Sequence, residues 1–215
     1  MLKVKYGSLE IGIHTVHTGM TKENPRLFSY IVVWDSGLAP NPFHEVCTLA
    51  VCKPQIRKSA KEDDWVVGLT PRKLENKVVY AMKVSDVYSF AEYHEDSGFS
   101  SKIPDMNSGE YADRVGDNIY EPLPNGGYRQ LFSRHSNPDG TENSAHKIRD
   151  LDGRFVLIGQ EYYYFGSESQ KLPSELDLLI IGRGHHVFSE PKILRNFWNF
   201  IDQYEPGVHG QPRLM

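Results

Sequence analysis

Trp65-Val66-Val67-Gly68-Leu69 and Val78-Val79-Tyr80-Ala81-Met82-Lys83-Val84 decide the fold class. Both runs are short, β-branched and aromatic, and the polar stretch from Thr70 to Lys77 lets them pair as neighbouring strands. A period of two predicts Val78, Tyr80, Met82 and Val84 on one face of the second run, with Val79, Ala81 and Lys83 on the other. Upstream, Phe28-Ser29-Tyr30-Ile31-Val32-Val33-Trp34 reads as a buried strand, and Cys47-Thr48-Leu49-Ala50-Val51-Cys52 as another, stopped by Pro54. Downstream, a short helix is expected between Ser85 and Tyr93. Phe155-Val156-Leu157-Ile158-Gly159 and Tyr162-Tyr163-Tyr164-Phe165 read as strands around a turn or bulge. From Pro191 to Tyr204 a helix is expected: proline suits its first turn, and Ile193, Leu194, Phe197, Phe200 and Ile201 build one apolar face. The expected architecture is α+β, with a β barrel or strongly bent mixed sheet at the centre, peripheral helices and a C-terminal helix.

The chain has 215 residues, 39% hydrophobic and 24% charged, which suits one domain over 1–215. Within it, 95–153 reads as a long polar insertion or loop region with aromatic islands at Tyr111, Tyr120, Tyr128 and Phe132. A mean hydropathy of -0.49 and the lack of a long apolar run argue against a membrane span. Met1-Leu2-Lys3-Val4-Lys5-Tyr6 shows no secretory signal, and two cysteines make no disulfide scaffold, so a cytoplasmic setting is expected. A net charge of -4 argues against a protein that coats nucleic acid nonspecifically, while leaving room for a local basic groove. Walker, GxSxG, HExxH and dinucleotide signatures are all missing.

The loop Asp35-Ser36-Gly37-Leu38-Ala39-Pro40-Asn41-Pro42-Phe43-His44 follows an aromatic strand end and is stiffened by two prolines. Trp34 and Phe43 beside Asp35, Asn41 and His44 are the parts a pocket for a planar heterocycle needs: a stacking face plus fixed edge donors and acceptors. The alternative is a tight loop whose Asp and Asn cap their own backbone. Lys53, Arg57, Lys58 and Lys61 form a basic cluster that is either a solvated loop or a phosphate-facing rim, with Arg114, Arg129, Arg134, Lys147 and Arg149 as further cations. His44 next to Cys47 offers an acid and a thiol nucleophile, with Asp35 as a base, although no cysteine-protease signature surrounds either cysteine. Zinc would accept His44, Cys47 and Cys52 as ligands, but their spacing suits core packing better, and no metal or cofactor is expected. Gly182-Arg183-Gly184-His185-His186 would let backbone approach a ligand, and His135, His146, His185 and His186 are further candidates for ligands or general bases.

Several of these motifs carry a resemblance. Trp34 to Phe43, Cys47-Thr48-Leu49-Ala50, Cys52-Lys53-Pro54, Ile56-Arg57, Asp64-Trp65-Val66-Val67-Gly68, Gly116-Asp117-Asn118-Ile119-Tyr120, His135-Ser136, Tyr164-Phe165-Gly166 and Leu172-Pro173 resemble the bacterial and phage family called nucleotide modification associated domain 2. Lys61 to Gly68 followed by Val78 to Val87 is also similar to the paired strands of PUA-like barrels, whose EVE, ASCH and SRA-type relatives recognise modified or flipped bases. The resemblance implies association with systems that modify DNA bases or resist foreign DNA, and the leading expectation is a nucleic-acid or nucleotide-associated module that binds a base, modified or unmodified, in a pocket. Its expected partners are nucleotide or DNA, and a base-modification enzyme. On that expectation Trp34, Phe43 or Trp65 stack, Asp35 and Asn41 read the base edge, and Lys53 and Arg57 meet phosphate, with Tyr120, His135, Arg183 and His185 as further contacts. The rival expectation is an enzyme acting on a nucleotide or DNA base through His44, Cys47 and Asp35. A scaffold for a partner enzyme is the third.

Overall fold

A computed structural model describes residues 24–214, so the reading of Met1 to Tyr6 lies outside the described residues. In chain order the elements are β1 (Leu27–Ile31), β2 (Cys47–Leu49), α1 (Pro54–Ser59), β3 (Trp65–Leu69), β4 (Val78–Lys83), β5 (Asp86–Ser89), α2 (Phe90–Glu95), α3 (Tyr111–Arg114), β6 (Tyr120–Pro122), β7 (Tyr128–Gln130), α4 (Ser144–Leu151), β8 (Phe155–Gly159), β9 (Tyr162–Tyr164), β10 (His185–Phe188), α5 (Pro191–Ile201) and β11 (Gly207–Val208). A mixed six-stranded sheet runs β10-β1-β3-β4-β9-β11, and a smaller sheet runs β2-β8-β5. The antiparallel pair β4/β9 passes directly into β5/β8, with Lys83 N–H donating to Glu161 O and Ser85 N–H to Ile158 O at the junction. One long bent strand pair therefore serves both sheets. Among the described residues no ladder joins the edges β10 and β11, so the sheet closes no barrel. The fold is mixed α+β with the expected C-terminal helix.

Three apolar layers follow from strand alternation. Trp65, Val67 and Leu69 pack with Leu194, Phe197, Phe200 and Ile201 of α5, whose apolar stripe is the one the sequence spells. The opposite face puts Phe28, Tyr30, Val66, Tyr80 and Met82 against Cys47, Leu49, Ile56 and Leu157. A third cluster joins Val156 and Ile158 to Phe90, Tyr93, Ile119 and Tyr120.

Four local expectations change. Gly68 faces Tyr80 while Leu69 faces Val78, so Val79 is a bulged residue and joins Tyr80 and Met82 on one face. A Cβ at Gly68 would lie 2.5 Å from the Tyr80 ring, so a side chain there would collide with it. The first strand ends at Ile31 rather than Trp34, whose side chain is 70% exposed. The strand from Cys47 ends at Leu49, because the Asp117 carboxylate accepts from Ala50 N–H and the Thr48 hydroxyl in place of a ladder partner. Between Ser85 and Tyr93 a strand, β5, comes first. The helix α2 then starts on a capping box in which Ser89 and Glu92 exchange bonds.

Residues 95–153 carry α3, β6, β7 and α4, and send Asp117, Asn118, Tyr120, Gln130, His135 and Asp150 into the interior. No helix among the described residues is long and apolar enough to cross a membrane.

Candidate functional site

Cys52 occupies the turn between β2 and α1 and has a φ of 59°, followed by Lys53 at 39°. Two consecutive non-glycine residues in the left-handed region carry backbone strain, which persists only when neighbours hold it. Two groups do so here. The Cys52 N–H donates to Asp150 Oδ1 at 2.9 Å, and the Cys52 carbonyl accepts from Arg57 Nε at 2.8 Å. Arg57 is fully buried. Its other nitrogens donate to the carbonyls of Phe155 and Asp150, and it lies over the Phe90 ring. The brace also depends on Gly153, where a Cβ would fall 2.2 Å from the guanidinium carbon.

His135 comes from the loop after β7, and Asp150 from α4. His135 Nε2 lies 3.8 Å from Cys52 Sγ, and its Nδ1 lies 2.6 Å from Asp150 Oδ2. The same carboxylate oxygen accepts from the Tyr120 hydroxyl at 2.9 Å. Gln130 donates from one amide nitrogen to Tyr120 Oη and to the His135 carbonyl, while its amide oxygen accepts from Asn143 N–H, the N-cap residue of α4. Burial opposes a charge on His135. Its hydrogen bonds to Asp150 and Cys52 outweigh burial and push its pKa up to about 9. Burial would raise Asp150, but His135, the Cys52 N–H and Tyr120 together hold the carboxyl below its ordinary value. An imidazolium held by the Asp150 carboxylate is thus the favoured state of His135 at neutral pH.

The thiol and imidazole open onto a cavity of about 400 Å³ lined by Trp34, Ser36, Leu38, Ala39, Cys52, Arg134, His135 and His146. His146 lies four residues before Asp150, on the same face of α4, and its ring meets His135 edge-on with centroids 4.4 Å apart. Burial, then the charge of His135, lowers the His146 pKa and leaves it neutral. A larger hollow of about 490 Å³, bounded by Asp63, Trp65, Lys83, Glu161, Trp198 and Asp202, has no cysteine or histidine in its wall.

Cys52, His135 and Asp150 are also the ligand types a metal takes, and their donor atoms all lie within 4.8 Å of one another. The 2.6 Å contact between Nδ1 and Oδ2 is a direct hydrogen bond, shorter than the roughly 3.3 Å that separates ligands around tetrahedral zinc. The arrangement present fits a nucleophile, a base and an orienting carboxylate.

Of the residues singled out in the sequence, Trp34, Cys52, Arg134, His135 and His146 line this cavity, and Tyr120 supports it from behind. Asp35 is buried, accepting from the Tyr164 hydroxyl at 2.6 Å and from Arg213 N–H; burial raises its pKa. Asn41 is buried against Val115 O and Lys102 Nζ. Neither lines the cavity, so the base-edge reading expected of them has no free group behind it. Phe43 packs edge-on against Tyr111, and His44 faces Asp113 at 3.6 Å. Cys47 is fully buried, with its pKa pushed up to about 12 by burial, so the expected His44–Cys47–Asp35 grouping is not brought together. Lys53 donates to Ile31 O and sits over Tyr30. Arg57, expected at phosphate, serves carbonyls in the interior. Trp65 belongs to the α5 core, Arg183 is exposed, and His185 stacks on Phe28. Sequence reasoning missed Asp150 and did not pair Cys52 with His135. The one local signal was the Cys-Lys-Pro step that leads into helix α1.

No curated protein and no solved structure matches the chain. The model of one family does, over residues 24–215, which is nearly its whole length. The chain belongs to the nucleotide modification associated domain 2 family, whose name ties it to nucleotide-modification systems.

Proposed function

We propose that this chain is a cysteine-dependent enzyme of a nucleotide-modification system, taking a nucleotide or DNA base into the cavity beside Cys52. Cys52 is the nucleophile, His135 the acid and base, and Asp150 the positioning group that fixes the imidazole. The observation that carries this reading is the Cys52 Sγ–His135 Nε2–Asp150 Oδ2 chain, at 3.8 Å and 2.6 Å, opening onto a cavity of about 400 Å³. The exposed Trp34 ring at the same cavity supports a planar substrate. A cytoplasmic, reducing setting that keeps the thiol free, a partner base-modification enzyme, and a single working unit built on a PUA-like bent strand pair belong to the same proposal.

The rival is a reader that binds a modified base in this cavity and does no chemistry; Trp34 favours it as much as it favours the enzyme. Incubation with nucleosides and with digests of modified DNA separates the two. The expected result is a new product mass or a covalent adduct that Cys52→Ala abolishes and Cys47→Ala retains. Saturable binding of a base that survives Cys52→Ala, with every substrate mass unchanged, establishes the reader instead.

A further inference from the structure

We propose that the reaction at Cys52 is acyl transfer, in which the thiolate takes an acyl group from an amide, ester or thioester and holds it as a Cys52 thioester. This deepens the reading of Cys52 as nucleophile and rests on it.

The walls of the cavity narrow the chemistry available to the thiol. A dithiol redox cycle needs a resolving thiol. The second cysteine, Cys47, is fully buried in β2 and does not line the cavity. A thiol adding to a pyrimidine ring needs a carboxylate or amide against the polar edge of that ring. None lines the cavity among the described residues, and Asp150 is turned to His135, the Cys52 N–H and Tyr120. What remains is one sulfur, one proton shuttle fixed behind it, and cationic or neutral donors in front. That set suits an acyl carbon, where the same proton is delivered in one half-reaction and recovered in the other.

In the first half-reaction the Cys52 thiolate bonds to the carbonyl carbon of R–CO–X. The bond from carbon to X breaks, and X leaves with the proton carried on His135 Nε2. In the second, the acceptor Nu–H attacks the thioester carbon, its proton passes to His135, and the carbon–sulfur bond breaks to restore the thiolate. The sum is R–CO–X plus Nu–H giving R–CO–Nu plus X–H, with no change of oxidation state. A nucleophile's own backbone N–H can serve the oxyanion, but the Cys52 N–H is spent on Asp150 at 2.9 Å. Charge on the carbonyl oxygen therefore falls to the other side-chain donors of the wall, Trp34, Ser36, Arg134 and His146. The acceptor that the cavity suits is an amino or hydroxyl group on a planar base held at Trp34, with water as the competing acceptor.

The full chain is incubated with p-nitrophenyl acetate, N4-acetylcytidine and N6-acetyladenosine, quenched in acid, and analysed by intact and peptide mass. In parallel, iodoacetamide labelling of Cys52 is timed at pH 6 in wild type and in His135→Gln. The expected result is one acetyl group on Cys52, absent in Cys52→Ser, together with labelling that slows at least about 10-fold in His135→Gln. Acetyl release then accelerates on adding nucleosides that bear amino groups. Fast, His135-dependent labelling without acetyl on Cys52 from any donor overturns acyl transfer and leaves the nucleophile standing. Labelling that is slow in both proteins overturns both. Circular dichroism of each variant separates lost chemistry from lost folding.

Discussion

Cys47 and Cys52 are five residues apart, and each has an aspartate, a cation and a tyrosine beside it. Around Cys47 the group is sealed. Lys102 Nζ donates to Asn41 O, Asn41 Oδ1 and Val46 O, while Asp117 accepts from Thr48, Tyr93 and the Ala50 N–H. The side chains of Asn41, Thr48, Tyr93, Lys102 and Asp117 are buried, and none lines the cavity at Cys52. Burial lowers Lys102 to about 8, and the Cys47 thiol stays protonated. Around Cys52 the same kinds of residue are arranged in a line that ends at a cavity, and the cation is an imidazole that can give up its proton. The lesson is that residue types alone do not mark a reactive centre. Access, and a proton carrier with two distinct nitrogens, separate the cluster proposed to react from the sealed one.

The contrast breaks most visibly at Lys102. Lys102→Met leaves the Asn41 and Val46 acceptors unmet and the Asp117 charge uncompensated. Denaturant melts are expected to show a loss of about 3–5 kcal/mol, whereas Cys52→Ala leaves the midpoint nearly unchanged. A small effect of Lys102→Met would mean that the sealed cluster is not holding the fold.

A second prediction uses pH. The pKa of His135 in the folded protein is about 9, above its ordinary 6.5, so its contribution to stability is complete below about pH 6.5 and is lost as pH rises through 9. The stability gap between wild type and His135→Gln should be on the order of 2–3 kcal/mol at pH 6 and close toward pH 10. A gap that is flat with pH would show that the imidazole is not held charged by Asp150. The smallest effect on the fold is expected at Trp34. Trp34→Ala should shift stability by less than about 0.5 kcal/mol, yet weaken nucleoside binding roughly 10-fold by calorimetry.

Much of the sheet was legible because its signal is local. Alternation in Trp65–Leu69, the apolar stripe of α5 and the polar run between β3 and β4 are each contained in a dozen residues or so. The Val79 bulge was not, because it depends on the Tyr80 ring filling the space over Gly68. The site was harder still. Asp150 reaches the Cys52 backbone across 98 residues, and nothing near either residue announces the other. His135 and Trp34 were recognised as chemistry-bearing types, while the proline loop drew attention to Asp35 and Asn41, whose polar groups turn out to be anchors for Tyr164 and Lys102. A stiff loop with polar residues looks the same in sequence whether those residues face a ligand or the core.

The guanidinium of Arg57 has a consequence for how the protein comes into being. Its three acceptors belong to residues 52, 150 and 155, so during synthesis the brace on the bend that presents the sulfur is incomplete until the chain has grown past Phe155. A ribosome-bound fragment would carry Cys52 without its imidazole and carboxylate neighbours, and the three would meet only in a molecule whose later half has already docked.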